Sequence, residues 1–455
     1  MSSPILWENH DRSVVLIDIP RSIAAAQGSH DHPCSDSLLS TEPSTRPFVT
    51  NEPKTAAAKA KLVQNTTDAG IDLEYQGIIQ AALRDVNDNY KGDWCLPRPF
   101  VVPSTVNGPG EKRKHCVGDD LTNSNAVVQA IEPELPHDLL ASCDSISRST
   151  ASCQECPDDD PSFHSNCYSS TQSIEIQHVP EDGERNVHSF RIPLKATFSL
   201  SACSSSQSFM NGIRNQAQTH STRRHFDIIL LDPPWPNRSV KRARKSPGSS
   251  YATSSSLHDI YQLLAGMDLD MLMSEECLVG IWITNKSRIR DLVLGDDGVF
   301  AMWGLRLEEE WIWVKTTSGG EPVTPIDSVW RKPYETLLIG RKGREVGEAP
   351  KRRVIISVPD LHSRKPCLKL LLEPMAPRSD GCRVLEVFAR HLVAGWWSWG
   401  NECIKFNWDG YWRAPVGNRR DESRTCRRRP SEAECASQLS QPADCERPAD
   451  ESQSA

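Results

Sequence analysis

The chain has 455 residues, of which 38% are hydrophobic and 32 are proline, with a mean hydropathy of −0.50. No apolar run approaches the about 18 residues of a membrane span, and residues 1–12 lack the basic flank and apolar stretch of a secretory signal peptide. Fifty-two Lys and Arg against 60 Asp and Glu leave a net charge of −8, which over the whole chain disfavours nucleic acid, and the 15 cysteines form no framework and read as reduced thiols of an intracellular chain.

In chain order, Val14–Ile17 and Ile19 form a short apolar run closed by Pro20, a strand signal. Residues 28–53 read as loop. Helices are predicted over 54–63 and 73–86, the second with Ile78, Ile79, Ala82, Leu83 and Val86 on one stripe. Residues 1–100 are therefore expected to form a strand and helical region packed on or near the core. Residues 101–185 are mostly Ser, Asp, Pro and Cys-rich with little periodicity and are expected to be a disordered insert. Within it, Cys153 and Cys156, then His164 and Cys167, have zinc-like spacing. Asp158–Asp160 fill the short gap between the pairs, and no metal site is expected. Residues 187–200 could hold one or two strands, and 201–222 read as a polar linker.

From 226 the pattern becomes α/β. FDIILLD (226–232), LVGIWIT (278–284), EEWIWVK (309–315), ETLLIG (335–340), RVIISV (353–358) and RVLEVFA (383–389) are candidate buried strands separated by helical or loop segments. Such alternation predicts a mostly parallel sheet with helices on both faces. The catalytic domain is expected over 186–412, followed by a disordered tail over 413–455.

Charge and tryptophan are skewed toward the same segment. Residues 221–430 hold 34 Lys and Arg against 26 Asp and Glu, whereas the remainder holds 18 against 34. Eleven of 13 tryptophans lie at or after Trp235. A basic, Trp-rich segment inside an acidic chain is a footprint of nucleic-acid binding on a folded core.

The sharpest chemical feature is Asp232-Pro233-Pro234-Trp235, directly after the apolar run FDIILL. Ligands of open α/β sheets bind at the carboxyl ends of strands. Two prolines stiffen the chain and remove two donors while their carbonyls still accept. The Asp232 carboxylate and the Pro233 carbonyl could hold the two N–H bonds of a nucleobase amine and orient its lone pair toward an electrophilic methyl. Trp235 could stack on an unpaired or flipped base. Without a ligand, the same tetrapeptide is a rigid corner with a buried Trp.

These residues, with IWITN (281–285), EWIWVKTTSGGEPVTPIDS (310–328), KPYETLLIGR (332–341), LHSRKP (361–366) and LEVFARHLVAGWWSWGNE (385–402), resemble the MT-A70 family of adenine-N6 methyltransferases. Within it the resemblance is strongest to the methyltransferase-like protein four subgroup, and the IDIP stretch resembles fungal members. The resemblance implies a Rossmann-like fold with permuted motif order, the DPPW strand preceding the cofactor strand, and S-adenosylmethionine as methyl donor. By family match, Glu386, Arg390, Asn401 and Glu402 would contact the donor's ribose and adenosine. Lys365 would pair with its carboxylate, and Asp232 would help hold its ammonium. His391 stands where relatives have Asn, and Ala202 where they have an Asp.

Asn237, Ser239, Lys241, Arg242 and Tyr251, in and after the run KRARK, are substrate candidates for phosphate and base contact. Lys315, Lys332 and Tyr334 are further substrate candidates, with Glu335 beside them. Trp311 and Trp313 share one strand face and are expected in the core. The expected activity is S-adenosylmethionine-dependent methylation of adenine N6 in RNA, including 2′-O-methyladenosine of small nuclear RNA. The alternatives are DNA adenine, another amino group such as cytosine N4 or a protein glutamine, and a non-catalytic nucleic-acid-binding subunit with the same fold. Retention of Asp232 and Trp235 favours a catalyst. KRARK and Arg427–Arg429 suggest the nucleus, and no membrane partner is expected.

Overall fold

Apolar runs too continuous for an amphipathic surface become neighbouring strands buried on both faces. A computed structural model of the chain describes residues 2–49, 55, 69–100, 146–148, 163–178, 186–236, 256–329, 331–343, 349–378 and 381–414. Apart from residue 55, the helix expected over 54–63 lies outside the described residues, as do most of the insert and residues 415–455 of the tail, whereas Arg413 is in the last strand.

The strands are β1 (Ile5–Glu8), β2 (Val14–Ile17), β3 (Ser37–Leu38), β4 (Ile146–Arg148), β5 (His164–Ser165), β6 (Gln172–His178), β7 (Asn186–Ile192), β8 (Thr197–Ser199) and β9 (Phe226–Leu231). They continue with β10 (Met273–Ile283), β11 (Leu305–Lys315), β12 (Tyr334–Lys342), β13 (Lys351–Ser357), β14 (Val384–Val387), β15 (Trp397–Trp399) and β16 (Trp412–Arg413). Eleven of them form one sheet in the order β1-β2-β13-β11-β12-β10-β9-β14-β15-β8-β5. The pairs from β10 through β9, β14 and β15 to β8 are parallel, as are β2-β13 and β13-β11. β12 runs antiparallel to both neighbours. β4, β6 and β7 form a separate three-stranded sheet.

The helices are α1 (Ile19–Ala25), α2 (Ala69–Asn89), α3 (Ser206–Thr219), α4 (Leu257–Ala265), α5 (Ser287–Leu294), α6 (Val299–Met302) and α7 (Lys369–Leu372). Alternation along β9 divides the core. Ile229 and Leu231 pack with α3, α4, α5 and α6 on one face, whereas Ile228 and Leu230 pack with α1 and α7 on the other. α2 covers the far end of the first face, laying Tyr75, Ile79, Ala82, Leu83 and Val86 on β2, β11 and β13. Helices on both faces of a mostly parallel sheet make a Rossmann-like methyltransferase fold.

The structure corrects two expectations about order. Residues 201–222 are not a linker, because α3 occupies most of them. Its Ser, Gln and Asn-rich sequence has a narrow apolar face, Phe209 and Ile213, which packs in the core. Gly212 admits the ring of Phe163, since a Cβ there would lie 2.2 Å from it. Residues 163–178 are not part of a disordered insert either. Ile174 and Ile176 alternate with polar residues along β6, and Phe163 joins the main core. The catalytic sheet also begins before 186, because β1 and β2 are its strands.

Candidate active site

β9 lies between β10 and β14 and is parallel to both. The chain leaves β9 toward β10 on one side and leaves β14 toward β15 on the other, so the crevice beyond β9 and β14 is a topological switch point. Leu231 pairs with Val387, which places Asp232 immediately past the sheet, with its amide 3.4 Å from the Val387 carbonyl. In the bend that follows, the Trp235 amide donates to the Pro233 carbonyl at 2.8 Å. Pro233 is therefore not the unengaged acceptor expected from the sequence. One of its lone pairs is spent locking the turn, and the Pro234 carbonyl has no protein partner among the described residues.

Trp235 also differs from expectation. It is only 7% exposed, it packs in the core, and its Nε1 donates to the Trp282 carbonyl at 2.6 Å. The ring is thus an anchor that holds the Asp232 bend against β10, not an open stacking surface. Sequence could not separate the two roles, because an indole serves equally as a flat face and as a core side chain with one donor.

A cleft of about 480 Å³, part of it open to solvent, extends from Asp232 across the ends of β9 and β14. Lys365, Glu386, Phe388, Arg390, His391 and Trp396 help line it. Glu386 comes from β14, and its Oε2 is buried without a hydrogen-bond partner. Burial, then the nearby Asp232 charge, push its carboxyl up to about 8. His391 Nε2 is likewise buried and unpartnered, and burial followed by Arg364 pushes its ring down to about 4. Buried polar atoms without partners are costly, and these two border a cleft that a ligand could fill.

The opposite wall is a charge chain. Lys365 Nζ lies 2.6 Å from Glu335 Oε2 and 3.5 Å from Asp232 Oδ1, and Lys315 bonds the other Glu335 oxygen. Burial works to raise the Glu335 carboxyl, but Lys315 and Lys365 hold it well below the usual carboxylate range. Burial likewise opposes the charge on Lys365, yet Asp232 and Glu335 keep its pKa raised. Trp282 and Trp313 floor this chain, with Lys365 Nζ 4.8 and 5.5 Å from their ring centres. Trp311 and Trp313 are core residues as expected.

Arg390 lines the cleft, donates to the Ser363 carbonyl at 3.3 Å and lies 3.7 Å from Glu402, which also approaches Lys405. Asn401 is half-buried beside Glu402, outside the cleft lining. Lys332 and Tyr334 do not face the substrate side. Both give their polar ends to Asp72 of α2, at 2.6 and 2.5 Å, and Tyr334 is buried. Their neighbour Glu335 points to the site instead, by strand alternation. Asn237, Ser239, Lys241, Arg242 and Tyr251 lie outside the described residues, as do Cys153 and Cys156. His164 stacks on Phe198 in the sheet, and no metal-binding group of His, Cys, Asp and Glu occurs among the described residues.

Sequence reasoning missed two backbone features. Phe388 and Ser363 adopt left-handed φ angles of 59° and 70°, and both line the cleft. Such angles cost a non-glycine residue about 1–3 kcal/mol and gather at functional sites. No local residue pattern announces them.

The side chains around the cleft have the chemistry to hold a nucleoside carrying an amino-acid tail. An unpartnered carboxyl near the end of β14 suits ribose hydroxyls, Lys365 suits a carboxylate, and the aromatic walls suit a base. Residues 226–402 match the MT-A70 family. The chain is 32% identical over 418 residues to N6-methyladenosine RNA methyltransferase MTA1 of Cryphonectria parasitica, covering 90% of this chain and 94% of that protein. It is 34% identical over 237 residues to N(6)-adenine-specific methyltransferase METTL4 of Homo sapiens, covering 50% and 45% of the two chains. It is also 30% identical over 217 residues to a DNA N6-methyl methyltransferase of Caenorhabditis elegans, covering 47% and 53%.

Proposed function

We propose that this chain, which belongs to the MT-A70 family, transfers a methyl group from S-adenosylmethionine to N6 of adenosine in RNA. The observation that carries this reading is the position of Asp232. It stands past the carboxyl end of β9, beside an unpartnered carboxyl on the adjacent strand and within 3.5 Å of a cleft-lining lysine. The donor supplies a methyl group on a positively charged sulfur. Every other requirement falls on this chain. Glu386 accepts from the donor's ribose hydroxyls, and Lys365 pairs with its carboxylate. Asp232 accepts from the adenine amine, with the Pro234 carbonyl as a second acceptor in place of the locked Pro233. These acceptors hold the lone pair toward the methyl carbon and lie where positive charge grows on nitrogen. The amine becomes acidic as it is methylated, so its proton leaves to Asp232 or solvent without a base of high pKa.

RNA is favoured over DNA because the relative matching nearly all of both chains bears an RNA activity in its name, whereas the DNA-named relative matches about half. The basic clusters at 241–245 and 427–429 support nuclear residence. The test is transfer from methyl-labelled S-adenosylmethionine to matched RNA, 2′-O-methyl RNA and DNA oligonucleotides, read by nucleoside mass spectrometry. N6-methyladenosine from the RNA, or N6,2′-O-dimethyladenosine from the 2′-O-methyl RNA, supports the proposal. Product confined to DNA, label on cytosine, or no transfer despite donor binding overturns it.

A further inference from the structure

The loop from β13 to α7 carries Lys365, yet little of what holds it comes from its own neighbours in sequence. Arg98 Nη1 donates to the Pro359 carbonyl at 3.1 Å. The Thr41 amide donates to Asp360 Oδ1 at 3.2 Å. Arg364 Nη1 donates to the Leu39 carbonyl at 2.6 Å, and to Asp360 Oδ2 at 3.0 Å. The Cys367 amide donates to Ser22 Oγ at 2.9 Å. Anchors therefore fall on both sides of Lys365, and each reaches into residues 22–98, outside the matched 226–402 segment.

Arg98 is the centre of this arrangement. It is buried, and one arm of its guanidinium meets Asp18 Oδ2 at 3.3 Å while the other holds Pro359. Asp18 also caps α1 through the Arg21 amide and accepts from the Leu96 amide. Burial pushes the Asp18 carboxyl up, and Arg98 is the leading influence against it. The planar fork spans an acid and a carbonyl at once, which a single ammonium cannot do in the same way.

We propose that the N-terminal region is a built-in brace for the donor-binding loop, and that Arg98 is a positioning residue that sets the reach of Lys365 toward the donor's carboxylate. This rests on the reading of Lys365 given above. Arg98 touches neither donor nor substrate and acts only through the loop.

Arg98→Lys keeps a charge beside Asp18 but gives up the fork, and its thermal unfolding is measured first. Calorimetric titration then compares S-adenosylmethionine with methylthioadenosine, which lacks the amino-acid tail. The expected result is a dissociation constant for S-adenosylmethionine raised about tenfold, with methylthioadenosine changed by less than about twofold. In a Lys365→Met background, adding Arg98→Lys should produce no further loss, because the group it positions is gone. Should Arg98→Lys fail to fold, Ser22→Ala removes a different anchor of the same loop and should show the same ligand selectivity. Equal losses for both ligands, or additive losses in the double variant, overturn the brace. Normal binding in Arg98→Lys beside weakened binding in Lys365→Met overturns the brace alone. Normal S-adenosylmethionine binding in Lys365→Met removes the reading on which it rests.

Discussion

Replacing Glu386 by glutamine separates a charge from a shape. The side chain stands one residue before the end of β14 with one oxygen buried and unpartnered, and its carboxyl is pushed up to about 8 by burial and by Asp232. In the ligand-free protein it is therefore mostly protonated at neutral pH. Hydrogen bonds from ribose hydroxyls favour the ionised form, and bonds to a charged group contribute about 1.5–3 kcal/mol. Glu386→Gln keeps a carbonyl acceptor and gives up only the charge, a difference of about 1–1.5 kcal/mol, so the dissociation constant for S-adenosylmethionine should rise about five- to 13-fold. The pH dependence follows in sign. Binding requires release of a proton below about 8, so wild-type affinity should strengthen as pH rises from 6 toward 8 and level off above. Stability of the free protein should move the opposite way. A carboxyl kept neutral by the fold contributes fully below its unfolded pKa, and that contribution is lost as pH rises through the folded value near 8. Glu386→Gln should thus bind worse yet melt higher than wild type at pH 8. Titration calorimetry in buffers of different ionisation enthalpy, with melting curves across pH, reads all of this. Unchanged affinity in the variant, or wild-type binding that strengthens on acidification, would refute the reasoning.

Trp235→Phe should keep most of the ring packing but leave the buried Trp282 carbonyl without its 2.6 Å donor; a loss of about 1–3 kcal/mol is expected in chemical denaturation. Trp235→Ala should cost about 3–5 kcal/mol, so its inactivity would accompany a lowered denaturation midpoint. Gly212→Ala places a methyl 2.2 Å from Phe163 and should destabilise by about 1–3 kcal/mol, with the ring shift visible in a crystal structure. His391 is held neutral down to about 4, below its unfolded value, so its contribution to stability should fade as pH drops through that range. His391→Asn should flatten that part of the pH–stability curve, and an unchanged curve would count against the burial argument.

Much of the site was legible because its chemistry sits on sequence features with a period or a fixed address. The run FDIILL had to be a buried strand, and Asp232 directly after it had to stand at the carboxyl edge. RVLEVFA likewise placed Glu386 on a strand, and the structure makes that strand the neighbour of β9. Side-chain direction was harder. Lys332, Tyr334 and Glu335 are consecutive, yet the first two turn to Asp72 of α2 and only the third faces the site. That division depends on where α2 docks, which no local pattern records. Whether Trp235 stacks on a base or anchors the bend is hidden in the sequence for a related reason, since burial of an indole is a tertiary fact. α3 was missed because its polar composition hides the narrow face of Phe209 and Ile213. The contacts that hold the Lys365 loop join residues more than 250 positions apart, such as Arg98 and Pro359, and such pairings leave no trace in one sequence.

The central claim is that Asp232 presents an adenine amine to the donor. Its most direct test compares wild type with Asp232→Asn on an RNA oligonucleotide containing a single adenosine, with donor affinity measured in parallel. Loss of the negative charge aimed at the developing positive charge, with a donor NH2 in place of one acceptor oxygen, should lower N6-methyladenosine formation about 100-fold or more, while S-adenosylmethionine still binds. Product formed at the wild-type rate by the variant, or a methyl group found on any atom other than N6, would contradict the account.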